Sequence, residues 1–181
     1  MYFKKIPGQR LYLSPICSDD MEQYAKWLND SSVSDNLGST SQVLTVEKEK
    51  SILEDLSKSG YTFAIIKEDD NSLIGNIGLF DINHICRNAQ CGLFIGEKEN
   101  RNKGYGREAL TLLLEYGFDT LNLNNVMLKV FSYNEIAISC YKRVGFKIIG
   151  ERRNSYYING AYYNDVYMDI LASEFRDMKR Q

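Results

Sequence analysis

Apolar side chains recur along this chain at two different spacings. Alternation of apolar and polar residues is typical of a half-buried strand, and apolar residues three or four apart are typical of a helix with one buried face. The first pattern predicts strands at residues 9–16, 61–67, 73–80, 89–97, 125–131 and 146–153, and a last hairpin at 156–170. The second pattern predicts helices that start at Ser18 and Thr45, and further helices at 107–120 and 134–144.

The segments between these elements carry turn and loop signals. Asn159-Gly160 is a strong short hairpin signal and sets the turn of the last hairpin. Residues 29–44 are polar and rich in serine and are predicted as a loop, and 173–179 are predicted as a short polar tail. Helices stand between strands in the middle of the chain and hairpins lie elsewhere. The pattern therefore predicts a mixed α/β fold in a single domain, residues 1–181.

The stretch from Arg101 to Gly106 is the most informative part of the chain. It follows the apolar run at 91–96 and precedes the helix predicted at 107–120. Glycines let a backbone approach an anion closely, and the N–H groups of a helix's first turn lack partners and favour negative charge. This arrangement predicts a diphosphate site, with a tight turn carrying solvated basic residues as the alternative.

A second segment, residues 134–146, follows the strand predicted at 125–131. Asn134, Ala137 and Tyr141 are spaced so that they share one helix face, and Gly145 is a typical helix stop. Taken alone, this segment leaves open that Tyr141 is a core residue with a satisfied hydroxyl.

The two segments in this order resemble the GNAT superfamily of acetyl-CoA-dependent N-acetyltransferases. The motifs are R-x-x-G-x-G at 101–106 and N-x-x-A-x-x-x-Y-x-x-x-G-F at 134–146. The resemblance extends over most of the chain, and residues 81–84, 115–123 and 157–160 suggest the branch of RimJ/RimL and spermidine acetyltransferases. It implies one GNAT-like domain with a strongly twisted mixed sheet flanked by helices. Two central parallel strands of that sheet would splay apart and admit the acetyl-pantetheine.

The resemblance also implies roles for individual residues. Backbone groups at the end of the strand before the loop would polarise the thioester carbonyl, and Asn134 would hydrogen-bond the pantetheine arm. Tyr141, a neutral O–H donor with an ordinary pKa of about 10, would protonate the departing thiolate. The predicted cofactor-binding residues are Phe94, Ile95, Gly96, Arg101, Asn102, Lys103, Gly104, Tyr105, Gly106, Arg107, Asn134 and Ala137.

The sequence leaves the general base open. Asp81, His84, Glu97 and Glu99 are candidates, and loss of the proton to water is the alternative. Asp81 and Glu97 are also predicted to bind the acceptor amine. A solvated turn residue is the alternative reading of each of them.

The predicted acceptor follows from acidic residues that the spermidine enzymes have and this chain lacks. Residues 29–38 poorly match the acidic cluster of the spermidine enzymes, and Gln90 stands where that branch has a carboxylate. Because a polycation requires several carboxylates, the predicted acceptor is a protein or peptide N-terminus or a small amine, with a polyamine as the alternative. Residues 29–44, 81–88 and 156–163 are predicted to form the acceptor site.

Composition and charge argue against several other classes. A net charge of −2 disfavours nucleic-acid binding, and no apolar run approaches the roughly 20 residues of a membrane span. One histidine and four dispersed cysteines disfavour a metal site and favour free thiols in a cytoplasmic protein. The predicted partners are acetyl-CoA, as cosubstrate, and an amine. A homo-oligomer stays open.

Two other functions fit the same glycine loop. A non-catalytic acyl-CoA-binding regulator would keep the fold, although the presence of Tyr141 favours an enzyme. A Rossmann-type dinucleotide binder is disfavoured because the chain lacks an early G-x-G-x-x-G with a downstream acidic residue.

Overall fold

The structure is a computed structural model that describes residues 1–180. The chain divides into two compact units. The first consists of Met1–Gly78 and Leu93–Leu112, and the second of Leu79–Gly92 and the chain from Leu113 onward. The single domain predicted for residues 1–181 stays a prediction.

Helices stand between groups of strands, and the strands form both parallel and antiparallel pairs, so the predicted mixed α/β class is confirmed. The strands are β1 Ile6–Pro7, β2 Leu11–Pro15, β3 Thr62–Lys67, β4 Leu73–Asn83, β5 Asn88–Ile95, β6 Asn125–Phe131, β7 Lys147–Ile158 and β8 Ala161–Leu171. The α-helices are α1 Met21–Leu28, α2 Ser31–Leu37, α3 Val46–Ser59, α4 Tyr105–Glu115, α5 Glu135–Val144 and α6 Ala172–Lys179. Short 3₁₀ turns cover Ser18–Asp20 and Lys98–Asn100, and a π-helical turn covers Tyr116–Thr120.

The first unit is built on the antiparallel strands β1 to β4 and the end of β5. The N–H of Gly96 donates to the carbonyl of Ile74 at 2.9 Å, which places the end of β5 beside β4. The helices of this unit bury an apolar cluster formed by Ile16, Tyr24, Trp27, Val33 and Leu53. Phe94 of β5 packs against this cluster, so the core reaches the strand end that precedes the glycine loop.

The second unit holds the other parts of β4 and β5, followed in the sheet by β6, β8 and β7. β6 pairs with β8 in antiparallel register along its whole length. β5 and β6 run parallel, as predicted, but their register covers only Asn88–Gln90 opposite Asn125–Met127. β6 continues to Phe131, so within this unit the two strands part after three residue pairs.

Several local signals gave correct elements. The hydroxyl of Thr45 accepts the N–H of Lys48 at 3.2 Å and caps α3 as predicted. Asn159 and Gly160 have φ of +50° and +83°. Two positive φ values are typical of the two-residue hairpin turn whose twist matches that of the flanking strands. Ser18 does not cap α1 as predicted, because it lies inside the 3₁₀ turn that precedes the helix.

Two segments predicted without regular structure are helical. Residues 29–44 contain α2, whose first N–H groups are capped by Asp30; its carboxylate accepts the N–H of Ser32 at 2.8 Å. The predicted loop was wrong because this short helix has too few apolar residues to show a helical period. The predicted polar tail was also wrong, since Phe175 of α6 is buried with its ring 5.5 Å from that of Phe118.

We predict that Gly96→Ala destabilises the protein. A Cβ at Gly96 would lie 2.2 Å from the indole ring of Trp27, which is only 2% exposed and cannot move away. Overpacking of this kind lowers the free energy of unfolding by roughly 1–3 kcal/mol, which urea denaturation measures.

The matched control is Gly92→Ala, which lies within β5, the strand that Gly96 directly follows. A Cβ there would meet the Phe80 ring at 3.4 Å, an ordinary contact. Its free energy of unfolding is expected to be unchanged or raised by up to about 1 kcal/mol. Equal losses for the two variants would contradict the proposed role of the Trp27 contact.

Candidate active site

The glycine loop at 101–106 ends in the first turn of α4, which begins at Tyr105, two residues before the predicted start. The first hydrogen bond of this helix runs from the N–H of Glu108 to the carbonyl of Gly104 at 3.0 Å. The preceding N–H groups of Tyr105, Gly106 and Arg107 therefore have no acceptor in the helix. Such a group of N–H donors at a helix N-terminus fits a diphosphate.

The basic side chains of the loop fall into two kinds. Lys103 and Arg107 are exposed, and among residues 1–180 neither forms an ion pair, so both are available to an anion. The guanidinium of Arg101 instead donates to the carbonyl of Ile95 at 3.1 Å, to that of Gly96, and to Ser32. Arg101 was predicted to bind the cofactor, but its charged group faces the backbone and holds the end of β5.

The strand end at 94–96 was predicted to polarise a thioester carbonyl through its backbone. Arg101 already engages the carbonyls of Ile95 and Gly96, and Ile74 accepts the N–H of Gly96. Backbone groups of successive strand residues point to opposite edges, so the N–H of Ile95 points away from β4. Of the predicted groups of Ile95 and Gly96, the Ile95 N–H is the one that these contacts leave to a ligand.

Glu97 follows this strand end and lies at the centre of a hydrogen-bond cluster. Its Oε1 accepts from Lys26 at 2.9 Å, and from Trp27 and Gln23 at 3.1 Å each. The hydrogen bond from Lys26, followed by that from Trp27, lowers the pKa of the Glu97 carboxyl. A carboxylate held in its charged form is a weak proton acceptor, so this geometry favours a structural role over that of a base.

In the second unit, α5 carries the predicted Asn134, Ala137 and Tyr141 on one half-buried face. Asn134 is the N-cap, and its Oδ1 accepts the N–H of Ala137 at 3.1 Å. Its Nδ2 has no acceptor among the described residues, so the amide can cap the helix and still donate to a ligand.

The hydroxyl of Tyr141 has no hydrogen-bond partner within residues 1–180. Its oxygen is not fully buried, so it is not one of the buried polar atoms that lack a partner. The structure therefore does not support the alternative in which Tyr141 is a core residue with a satisfied hydroxyl. Burial raises the pKa of Tyr141, and the neighbouring thiols of Cys91 and Cys140 raise it further. The phenol consequently stays protonated across the physiological range and can act as a proton donor.

The remaining candidate bases are exposed. Asp81 has a positive φ of +50°, and its Oδ2 accepts from the Nε2 of Gln90 at 3.0 Å. His84 lies in the turn between β4 and β5, and Glu99 lies in the 3₁₀ turn before the loop. None of these settings marks a general base. The role of Asp81 in binding an amine stays a prediction.

Arg10 and Glu108 are near the loop and were not predicted. Their side chains form an ion pair at 2.9 Å, and Arg10 donates to the carbonyl of Lys103. The two residues are 98 positions apart in the chain, and no spacing rule connects them.

Residues 1–180 contain no group of three or more histidine, cysteine, aspartate or glutamate residues that would hold a metal ion. No helix in the same part of the chain has the length and apolar character needed to cross a membrane.

A protein-family model described as an acetyltransferase (GNAT) domain matches residues 10–147. The spermidine N(1)-acetyltransferase of Escherichia coli strain K12 is 36% identical over 110 residues, which is 61% of this chain and 59% of the relative. The match thus spans less than two thirds of that relative's length. The uncharacterized N-acetyltransferase YoaA of Bacillus subtilis strain 168 is 29% identical over 95% of this chain and 99% of its own.

Solved structures with the same fold cover nearly the whole chain. The spermidine N-acetyltransferase of Vibrio cholerae, in complex with CoA and spermine, superimposes with a TM-score of 0.82 at 25% identity, over 92% of this chain and 98% of its own. The ribosomal L7/L12 alpha-N-protein acetyltransferase RimL, in complex with coenzyme A, has a TM-score of 0.80 over 92% of this chain and 97% of its own. At 17% identity, this structural likeness shows a shared fold and no more.

We predict that the stabilising effect of the Glu97 charge depends on pH. Because the folded-state pKa of Glu97 is lowered, its contribution is present at neutral pH and is lost as the pH falls through that folded value. Glu97→Gln should therefore lower stability at pH 7, and the difference should vanish in acid. The side chain is 37% exposed, so the effect at pH 7 should be below about 1 kcal/mol.

Urea denaturation of both proteins from pH 7 to pH 3 measures this difference. Glu99→Gln is the control, since Glu99 is exposed and follows closely in the chain. A Glu97→Gln effect that is constant over the pH range would show that the charge of Glu97 is not the cause.

Proposed function

The chain belongs to the GNAT acetyltransferase family, and on that premise we propose that it is an acetyl-CoA-dependent N-acetyltransferase acting on a primary amine by direct attack. The observation that carries the proposal is the first turn of α4, where three successive N–H groups lie free beside a basic glycine loop. Diphosphate binding at such a turn is what an acetyl-CoA enzyme requires.

In the first unit, we assign cofactor binding to the loop and the strand end before it. The N–H groups of the loop and the side chains of Lys103 and Arg107 would hold the diphosphate. The N–H of Ile95 would hydrogen-bond the thioester oxygen and stabilise its negative charge as the amine attacks. Arg101 would act by keeping this strand end in place. The loop residues so assigned are Asn102, Lys103, Gly104, Tyr105, Gly106 and Arg107.

In the second unit, we assign the later part of the reaction to α5. The Nδ2 of Asn134 would donate to the pantetheine amide, next to Ala137 on the same face. The amine nitrogen forms a bond to the carbonyl carbon, and the carbon–sulfur bond then breaks. Tyr141 would give its proton to the departing thiolate, which has an ordinary thiol pKa of about 8.5, and the resulting phenolate would take a proton back from water. The amine would lose its own proton to water.

The proposed acceptor is a protein or peptide N-terminus or a small amine. The two carboxylates within 29–44 already have partners, since Asp30 caps α2 and Asp35 accepts from Thr40 at 2.8 Å. Gln90 occupies one oxygen of Asp81, which leaves the other to bind a single ammonium group. This supply of carboxylates suits an acceptor of modest charge. The names of the spermidine acetyltransferase relatives support the alternative, a polyamine.

We further place the enzyme in the cytoplasm, in line with its four free cysteines. Whether it forms a homo-oligomer stays a prediction. A non-catalytic regulator with the same cofactor site is disfavoured by the unpartnered hydroxyl of Tyr141, because a regulator needs no proton donor there.

We predict acetyl-CoA turnover with amines, and the test is a panel of peptides with free N-termini, small primary amines, spermidine and spermine. A peptide or small amine should give the highest kcat/KM. If spermidine or spermine is the best acceptor by a wide margin, the proposed acceptor is wrong and the proposed acetyl transfer still holds. Binding of CoA without turnover of any amine would instead favour the regulator.

We predict that Tyr141→Phe lowers kcat by roughly 10²-fold, as expected for loss of a general acid. The ring keeps its packing beside Phe146, so the Kd for acetyl-CoA should stay within about twofold. Single-turnover kinetics isolates the chemical step. The control is Tyr167→Phe, which changes another half-buried tyrosine of the second unit. Unchanged single turnover in the Tyr141→Phe enzyme would assign protonation of the thiolate to water.

A further inference from the structure

Arg10 precedes β2 and reaches the glycine loop of the same unit through a set of charge-assisted hydrogen bonds. Its Nε donates to Oε2 of Glu108 at 2.9 Å, and its backbone N–H donates to Oε1 at 2.8 Å. The N–H of Gln9 adds a third bond to the same carboxylate at 3.0 Å. Glu108 lies in the first turn of α4, so these bonds join the start of β2 to the helix that would receive the diphosphate.

The other end of the Arg10 guanidinium contacts the loop itself. Its Nη1 donates to the carbonyl of Lys103 at 2.9 Å, and its central carbon lies 5.0 Å from the centre of the Tyr105 ring. A Cβ at Gly104 would lie 3.1 Å from Nη2, so the guanidinium also borders the loop glycine.

The contact to Lys103 determines the direction of the next N–H. In a planar trans peptide, the carbonyl of one residue and the N–H of the following residue point in opposite directions. The residues 1–180 contain no cis peptide bond. With its carbonyl bound to Arg10, the Lys103–Gly104 peptide turns the N–H of Gly104 away from Arg10.

The ion pair also changes the charge at this helix end. An unpaired carboxylate in the first turn would oppose the binding of an anion at the same turn. Burial raises the pKa of Glu108, but the hydrogen bonds from Arg10 and Gln9 outweigh this and lower it. Glu108 is therefore ionised, and Arg10 compensates its charge.

We propose that Arg10 is a positioning residue of the cofactor site. Anchored by Glu108, it holds the Lys103 carbonyl and so directs the Gly104 N–H to the diphosphate. The proposal rests on the proposed function, since it assigns to Arg10 the geometry of the loop that would bind acetyl-CoA. Arg10 acts through the loop and does not itself contact the cofactor.

Arginine is required here because one planar guanidinium donates in two directions at once. The Nε side faces a carboxylate and the Nη1 side faces a carbonyl, and a lysine ammonium on a flexible stem cannot keep both contacts in this geometry. Arg10→Lys should therefore preserve the charge beside Glu108 and lose the hold on the loop.

The test measures CoA binding by titration calorimetry and turnover with two acetyl donors. Arg10→Met and Arg10→Lys should both raise the Kd for CoA by about tenfold, or roughly 1.4 kcal/mol. The kcat at saturating acetyl-CoA should stay within about twofold of wild type. With S-acetylpantetheine, which has no phosphate, both variants should match wild type, because this donor does not use the loop.

Three further variants sharpen the result. Gly104→Val alters the loop itself and should reproduce the loss of CoA affinity, since Gly104 has a φ of +85°. Arg176→Met is the matched control, because Arg176 also forms a 2.9 Å ion pair and its side chain has the same 49% exposure as that of Arg10. The double variant Arg10→Met with Glu108→Gln removes the carboxylate charge and should still bind CoA weakly.

Several outcomes would overturn the proposal. Wild-type affinity in Arg10→Lys would show that charge alone is needed, and full recovery in the double variant would show that the only effect was an uncovered Glu108. Equal losses with S-acetylpantetheine would show a general structural defect. If Arg10→Met does not fold, Arg10→Lys decides the question. Failure of the wild-type protein to bind CoA would refute the proposed function itself, whereas wild-type binding with unchanged variants would refute the role of Arg10 alone.

Discussion

A trans peptide points its N–H and its carbonyl in opposite directions, so a backbone can present N–H groups to an anion only if the carbonyls behind them find partners. In the first unit, Arg10 provides such a partner for the loop, and Arg101 binds carbonyls of the strand end before it. Arg101 binds the carbonyls of Ile95 and Gly96, and Arg10 binds that of Lys103. Arg101 therefore donates to the strand end before the loop and Arg10 to the loop itself, and the exposed charges of Lys103 and Arg107 remain for a ligand. The backbone geometry of this segment depends on these side chains as much as on its glycines.

Contacts to α1 also hold the strand end in place. Glu97 collects donors from three residues of α1, and the absence of a side chain at Gly96 lets the Trp27 indole lie directly against the strand. In the second unit the environment has the opposite effect on an ionisable group. Burial and two neighbouring thiols raise the pKa of Tyr141 and keep it in its neutral form. A carboxylate kept charged and a phenol kept protonated give the proposed reaction a proton donor but no dedicated base, which is consistent with an amine that loses its proton to water.

The parts of the structure that the sequence predicted are those specified by neighbours in the chain. The Thr45 cap, the turn at Asn159-Gly160 and the helix carrying Asn134 and Tyr141 each depend on residues within one or two turns of one another. The strand, glycine loop and helix start at 101–106 are equally local, and only the helix boundary was displaced, by two residues. The mixed α/β class followed from the order of such segments. Helix α2 was not predicted because it is short and mostly polar, although Asp30 and Gly38 at its ends are typical cap residues.

The roles of individual polar groups were decided by tertiary structure. A basic residue beside a glycine loop reads as a phosphate ligand in the sequence, yet Arg101 lies against backbone carbonyls and Ser32, a residue 69 positions away. The ion pair of Arg10 and Glu108 spans 98 positions, and the helical tail depends on the burial of Phe175 against Phe118. The sequence by itself determined which chemical groups the protein has and the local backbone that carries them. Which partner each group takes was decided only by folding, because a hydrogen bond or a ring contact depends on distance in space, and the chain brings together residues that no local pattern relates.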